Sequence, residues 1–165
     1  MRNILILGAG AGGTIVANML RKELPENEWR ITIIDRDERH YYQAGYLFIP
    51  FGVYGEQDVI KPKKEFIPRG VEFIVDEITK VDPGQRSVET RLGRYDYDWL
   101  IIATGCDIQP SEIEGMLDGW RTDIFDFYTL EGANALRQRL KYFESGKVVL
   151  NIAEVPYKCP IAPLE

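Results

Sequence analysis

The chain has 165 residues, 45% of them hydrophobic and 28% charged, with a net charge of −6. This suits one globular domain that buries roughly 70% of its unfolded surface, and it excludes a disordered chain. The acidic balance speaks against nucleic acid as a partner, and no apolar run approaches the roughly 20 residues that span a bilayer.

The first predicted element is Ile4-Leu5-Ile6-Leu7, a short apolar strand that enters the turn Gly8-Ala9-Gly10-Ala11-Gly12-Gly13. It is broken by the glycines and lacks a small-residue cleavage site, so it reads as a core strand and not as a secretion signal, with a cytoplasmic address as the default. A helix is predicted over 14–24. A second apolar run from Trp29 to Ile34 ends on Asp35. Strand, glycine turn, helix, strand and acid are the ordered parts of a dinucleotide-binding βαβ unit. Each glycine has a physical task. Gly8 permits the tight turn out of the strand, Gly10 lets the backbone approach a pyrophosphate, and Gly13 lets the helix lie close to the sheet. Gly12 completes the turn, and the helix N-terminus aims free N–H groups at the phosphates. Asp35 lies roughly 20 residues past the last glycine, where an acid accepts a hydrogen bond from a ribose hydroxyl. A carboxylate there repels a 2′-phosphate, an exclusion that Arg36 weakens. The motif alone does not choose between FAD and NAD.

His40 is the single histidine. It reads either as a hydrogen-bonded loop residue or as an acid–base group, and nothing nearby resembles a triad. Tyr41 to Tyr54 is an aromatic stretch broken by Gly45, Pro50 and Gly52. It must be covered by something: the protein's own core, a flat cofactor ring, or a part of the molecule outside this stretch. Residues 58–70, with Lys61, Lys63, Lys64 and Arg69, read as a solvated basic connection. Strands are expected at 71–75, through 76–82 and, after Pro83-Gly84-Gln85, at 87–90, forming an antiparallel meander.

Trp99-Leu100-Ile101-Ile102 has no polar residue, as in a buried parallel strand, and it ends in Ala103-Thr104-Gly105, where backbone can approach a ligand. An amphipathic helix is expected over 129–145, with Leu130, Ala133, Leu136, Leu140 and Phe143 near one face and Gly146 as its stop. Lys147 to Ala153 reads as a further buried strand. The fold class is therefore α/β: a parallel sheet in a dinucleotide-binding domain, residues 1–146, carrying an inserted antiparallel meander. Residues 147–165 read as the first strand and turn of a second dinucleotide-type domain.

That second turn runs Glu154-Val155-Pro156-Tyr157-Lys158-Cys159 without a glycine, so backbone could not easily approach a pyrophosphate there. A cysteine stands in its place, and Lys158 favours its thiolate. Cys106 and Cys159 are far apart in sequence and make no disulfide framework. Cys106, directly after Gly105, reads as structural, and no metal site is assigned.

Taken together, Met1 to Asp35 and Asp98 to Gly105 resemble the FAD domain of the two-dinucleotide-fold disulfide reductase superfamily, a Rossmann-like fold. Phe48-Ile49-Pro50-Phe51-Gly52, Phe125 to Gly132 and Val155 to Glu165 are similar to segments of sulfide:quinone oxidoreductases. The resemblance covers essentially the whole chain, as the N-terminal part of such a protein. It implies FAD along Gly8, Gly10, Gly12, Gly13, Asp35, Arg36, Ala103, Thr104 and Gly105. It also implies Cys159 as a redox cysteine that works with a second cysteine, sulfide as electron donor and a membrane quinone as acceptor. Contact with the membrane surface would come from a later part of the chain, so this stretch is not expected to turn over sulfide by itself. The position of Cys106 does not match a third functional cysteine of the family. A type II NADH dehydrogenase, a coenzyme A disulfide reductase and a non-catalytic nucleotide-binding module stay open as alternatives, as does a homo-oligomer.

Overall fold

The computed structural model describes residues 1–152, which fold as two compact units, each assembled from two stretches of sequence. The first unit comprises residues 1–41 and 60–106. Its centre is a parallel sheet of β1 (Arg2–Leu7), β2 (Trp29–Asp35), β5 (Val71–Val75) and β9 (Trp99–Ile102), in the order β5-β2-β1-β9. Helix α1 (Ala11–Glu23) joins β1 to β2.

The alternation of the strands decides the layers. In β1, Ile4 and Ile6 face one side and, with Ile31 and Ile33 of β2, pack on Ala17, Val16 and Leu20 of α1. Leu5 and Leu7, with Ile34, face the other side and meet Val88, Ile78, Val81 and Tyr95. These last residues belong to an antiparallel meander of β6 (Ile78–Asp82), β7 (Ser87–Thr90) and β8 (Arg94–Asp96). Helix, sheet and meander thus form three layers, and the two middle strands are covered on both faces. Ile4 to Leu7 is an unbroken apolar run, and Ile31 to Ile34 is interrupted only by Thr32, whose hydroxyl donates to Glu72 Oε2 at 3.3 Å. Fully burying a side chain such as Ile6 or Ile33 contributes about 1.5–3 kcal/mol.

Several sequence expectations shift. Val71–Val75 joins the parallel sheet beside β2 and is not part of the meander, whose third strand is β8. β9 lies at the sheet edge among the described residues, and Trp99 and Ile102 are exposed. Residues 58–70 are not a plain connection: β4 (Ile60–Pro62) pairs antiparallel with β3 (Arg39–Tyr41), which places His40 on a short strand. Residues 147–152, expected as a buried strand, are exposed and form no strand. A strand is held by hydrogen bonds to a neighbour, and none of the described strands pairs with this segment.

The second unit comprises residues 42–59 and those from 107 onward. Gln43–Phe48 forms a 3₁₀ helix that buries Tyr46, and α2 (Glu56–Val59) is a single short turn. Phe51 and Val53 of the aromatic stretch are exposed. The amphipathic helix α3 spans Leu130–Lys141, shorter than the pattern suggested at both ends. Thr129 caps it, its hydroxyl accepting from Gly132 N–H at 3.0 Å. Asp126 in turn accepts from the Thr129 backbone N–H at 2.7 Å and pairs with Arg121 at 2.5 Å. Asn134 and Arg137 of α3 donate to Glu56 Oε1 and the Tyr54 carbonyl.

Candidate functional site

Because β1, β2 and β9 run parallel, their carboxyl ends fall on one edge of the sheet. That edge gathers the glycine turn after β1, Asp35 at the end of β2 and Ala103-Thr104-Gly105 after β9. Such an edge is where open α/β sheets bind ligands. Backbone bonds lace the turns together: Gly8 N–H donates to the Ile34 carbonyl at 2.8 Å and Ala103 N–H to the Leu7 carbonyl at 2.7 Å.

The glycines divide by what a side chain would meet. Gly8 adopts φ +94°, and a Cβ there would press on the Ala103 carbonyl. A Cβ at Gly13 would collide with the Gly8 carbonyl, so this glycine permits the close approach of α1 to the turn. Gly12 would only reach ordinary contact with Ala103 Cβ, at 3.7 Å. Around Gly10 and Gly105 a Cβ would meet no protein atom within 4 Å. The space before these two glycines is open. Gly10 is also the N-cap of α1 and brings no capping side chain, so the N–H groups of the first turn face that space uncapped. The cradle therefore fits the pyrophosphate of a dinucleotide.

Asp35 is held from three directions. Its Oδ2 accepts from Ala9 N–H at 2.6 Å, and its Oδ1 accepts from Asp37 N–H at 3.0 Å. Lys63 Nζ stands 2.8 Å from Oδ1 and donates to the Asp37 carbonyl at 2.7 Å. Lys63 is only 5% exposed, which corrects its place in a solvated basic stretch. The pairing of β3 with β4 turns it inward, next to the carboxylate that neutralises it. Arg36 is exposed beside the pair. Burial pushes the Asp37 carboxyl up, but hydrogen bonds from the Arg39 backbone, the Tyr41 hydroxyl and the Arg39 side chain outweigh this and hold it at about 2.

His40 packs its ring against Phe66, with centroids 4.7 Å apart, and its Nδ1 is buried without a hydrogen-bond partner. Burial, and then the Lys63 charge, lower its pKa against a hydrogen bond with the Ala9 backbone. His40 is thus hydrogen-bonded through the Ala9 backbone, as one of its two expected readings has it, but it stands on strand β3 and not in a loop. Thr104, Gly105 and Cys106 are exposed at the sheet edge, and Cys106 is a free thiol. Lys158 and Cys159, with the rest of the glycine-free turn, lie outside the described residues. Sequence reading missed Lys63 because Lys61, Lys63 and Lys64 look alike in the chain. The one available signal was its place after Pro62, within a β-forming pair of segments.

Residues 2–150 match the model of the family described as pyridine nucleotide-disulphide oxidoreductase. The mitochondrial sulfide:quinone oxidoreductase of Dictyostelium discoideum is 29% identical over 163 residues, 97% of this chain and 36% of that protein. The type II NADH:quinone oxidoreductase of Staphylococcus haemolyticus is 36% identical over 118 residues, 71% of this chain and 29% of that protein. The chain thus spans about a third of the length of the curated relatives it matches. Among solved structures, the sulfide:quinone oxidoreductase from Aquifex aeolicus superposes with a TM-score of 0.71 at 24% identity, covering 86% of this chain and 32% of that one. An NDH2 from Plasmodium falciparum gives 0.63 at 19% identity, over 84% and 28%. The matching family is one of FAD-binding oxidoreductases. Among the described residues no helix is long and apolar enough to cross a membrane.

Proposed function

Because this chain belongs to the pyridine nucleotide-disulphide oxidoreductase family, we propose that it is the FAD-binding part of a flavoprotein that oxidises sulfide with a quinone as acceptor. The observation that carries the sulfide reading is the extent of the alignment. The sulfide:quinone relative matches along 97% of the chain, the NADH:quinone relative along 71%. The glycine-free turn ending in Lys158-Cys159 supports it from the sequence side.

Gly8, Gly10, Gly12 and Gly13 hold the pyrophosphate in this reading, with the open space before Gly10 as the seat. Asp35 accepts from the ribose with Arg36 alongside, and Ala103, Thr104 and Gly105 line the far side. FAD supplies the two-electron redox chemistry when bound. Cys159, joined in a disulfide to a second cysteine of the whole protein, takes up the sulfide sulfur as a persulfide when hydrosulfide attacks that bond and the other sulfur leaves as a thiolate. Lys158 favours the thiolate form of Cys159 once it is reduced. Residues 1–146 form the FAD domain, and 147–165 lead into a second dinucleotide-type domain. The whole protein meets its quinone at the cytoplasmic surface of a membrane.

A second reading, an NADH:quinone oxidoreductase, is favoured by the higher identity of 36% over the shorter alignment. One experiment separates the two. The full-length protein is purified, loaded with FAD and desalted, and its visible spectrum is followed on anaerobic addition of sulfide or NADH. Flavin bands that survive desalting and bleach with sulfide, but not in Cys159→Ser, are the expected result. Bleaching with NADH alone would install the second reading. A protein that retains no flavin would overturn both and leave a non-catalytic nucleotide-binding module.

A further inference from the structure

Asp35 has less hydrogen-bonding capacity to offer a ligand than its position in the motif implies. An ionised carboxylate accepts through about four lone-pair sites. Asp37 N–H and Lys63 Nζ occupy both sites on Oδ1, and Ala9 N–H occupies one on Oδ2. Among the described residues no other donor is recorded, so one acceptor site is left, on Oδ2. Lys63 in turn is fixed by its own bond to the Asp37 carbonyl and by its burial, so it does not swing away at the cost of one contact.

We propose that Lys63 is a positioning and specificity-determining residue: by occupying Oδ1 it restricts Asp35 to a single ribose hydroxyl and fixes which one. The inference rests on the reading that the adenosine end of FAD lies at Asp35. A free carboxylate at this place could accept from the 2′- and 3′-hydroxyls together. The Lys63-bound carboxylate takes one, and the other hydroxyl faces solvent or another group. The adenosine half of the site then discriminates between ribose analogues in an uneven way that the glycine motif does not encode.

The test uses the intact apoprotein and ADP, 2′-deoxy-ADP and 3′-deoxy-ADP as competitors against FAD, read by flavin fluorescence. In the wild type, removing one of the two hydroxyls should weaken binding about tenfold, as for a hydrogen bond to a charged acceptor, and removing the other should change it little. Lys63→Met frees Oδ1, so the two deoxy analogues should become equal within a factor of about two. Lys63→Arg should keep the uneven pattern. Equal losses for both hydroxyls in the wild type would overturn the proposal without need of a variant. So would a Lys63→Met protein that weakens all three nucleotides alike, which marks a purely structural lysine. A wild type that binds neither FAD nor ADP would instead bring down the underlying placement of the cofactor, and the proposal with it.

Discussion

Gly10 and Gly13 stand about one helical turn apart and carry opposite duties. The absence of a Cβ at Gly13 serves folding, because a methyl group there would enter the Gly8 carbonyl. Gly13→Ala should therefore cost about 1–3 kcal/mol of stability by urea unfolding, as overpacking does. At Gly10 a side chain meets only open space. Gly10→Val should leave stability within about 1 kcal/mol, the scale of an exchanged N-cap residue, while the purified protein loses its flavin. Unchanged flavin content in that variant would refute the placement of the pyrophosphate. His40 gives a pH dependence with a definite sign. Burial lowers its pKa below the ordinary 6.5, so the folded state resists a proton that the unfolded state accepts. Its contribution to stability is complete above pH 6.5 and is lost as pH falls through the lower, folded value. His40→Gln should flatten the stability curve on the acid side of 6.5, measured by denaturant midpoints across pH. A slope that persists in the variant would assign the effect to other groups.

At the scale of elements, β1 and α1 follow directly from local pattern: an apolar run, a glycine turn, then a helix with Arg21 and Lys22 in its last turn, where they suit the macrodipole. Helix α3 begins where a side chain secures one of its free N–H groups, that of Gly132. Thr129 supplies that bond, and Asp126, held by Arg121, orients Thr129. Thr129→Ala should cost about 1 kcal/mol by denaturant unfolding of the second unit. Thr129→Ser should recover most of it, since the hydroxyl acceptor returns. An unaffected Ala variant would mean that water caps the helix equally well. The end of α3 at Lys141, short of the expected 145, leaves Phe143 outside the helix. Apolar spacing alone had carried the pattern past the last turn.

For the molecule as a whole, the cradle is assembled from the carboxyl ends of three parallel strands, so a ligand seated there is bound by the folded sheet and not by any one segment. Ligand binding and folding are then linked. FAD present at a hundred times its dissociation constant should stabilise the first unit by about 2.7 kcal/mol, read as an upward shift of its thermal transition. A transition indifferent to FAD would show that the cofactor contacts only residues already ordered without the sheet. The chain's charge of −6 is compatible with this arrangement because the free N–H groups at the start of α1 face the cradle directly, while Lys63 is paired with Asp35.

Local order along the chain was enough to specify the βαβ unit, the meander's central turn, the strand before Ala103 and the residue types of the cradle. Each of these rests on interactions within a few residues: apolar alternation, the φ freedom of glycine, the free N–H groups of a helix start. Partners distant in sequence were beyond that reach. Lys63 looks like Lys61 and Lys64 until β3 pairs with β4 and turns it toward Asp35. Val71–Val75 carries no mark that assigns it to β2 instead of the meander. The Nδ1 of His40 is orphaned only because Phe66 and the glycine turn close around it. Burial of one lysine among several, strand neighbours and the unspent acceptor on Asp35 are properties of three-dimensional packing, because each depends on which long-range hydrogen bonds win once the chain has collapsed.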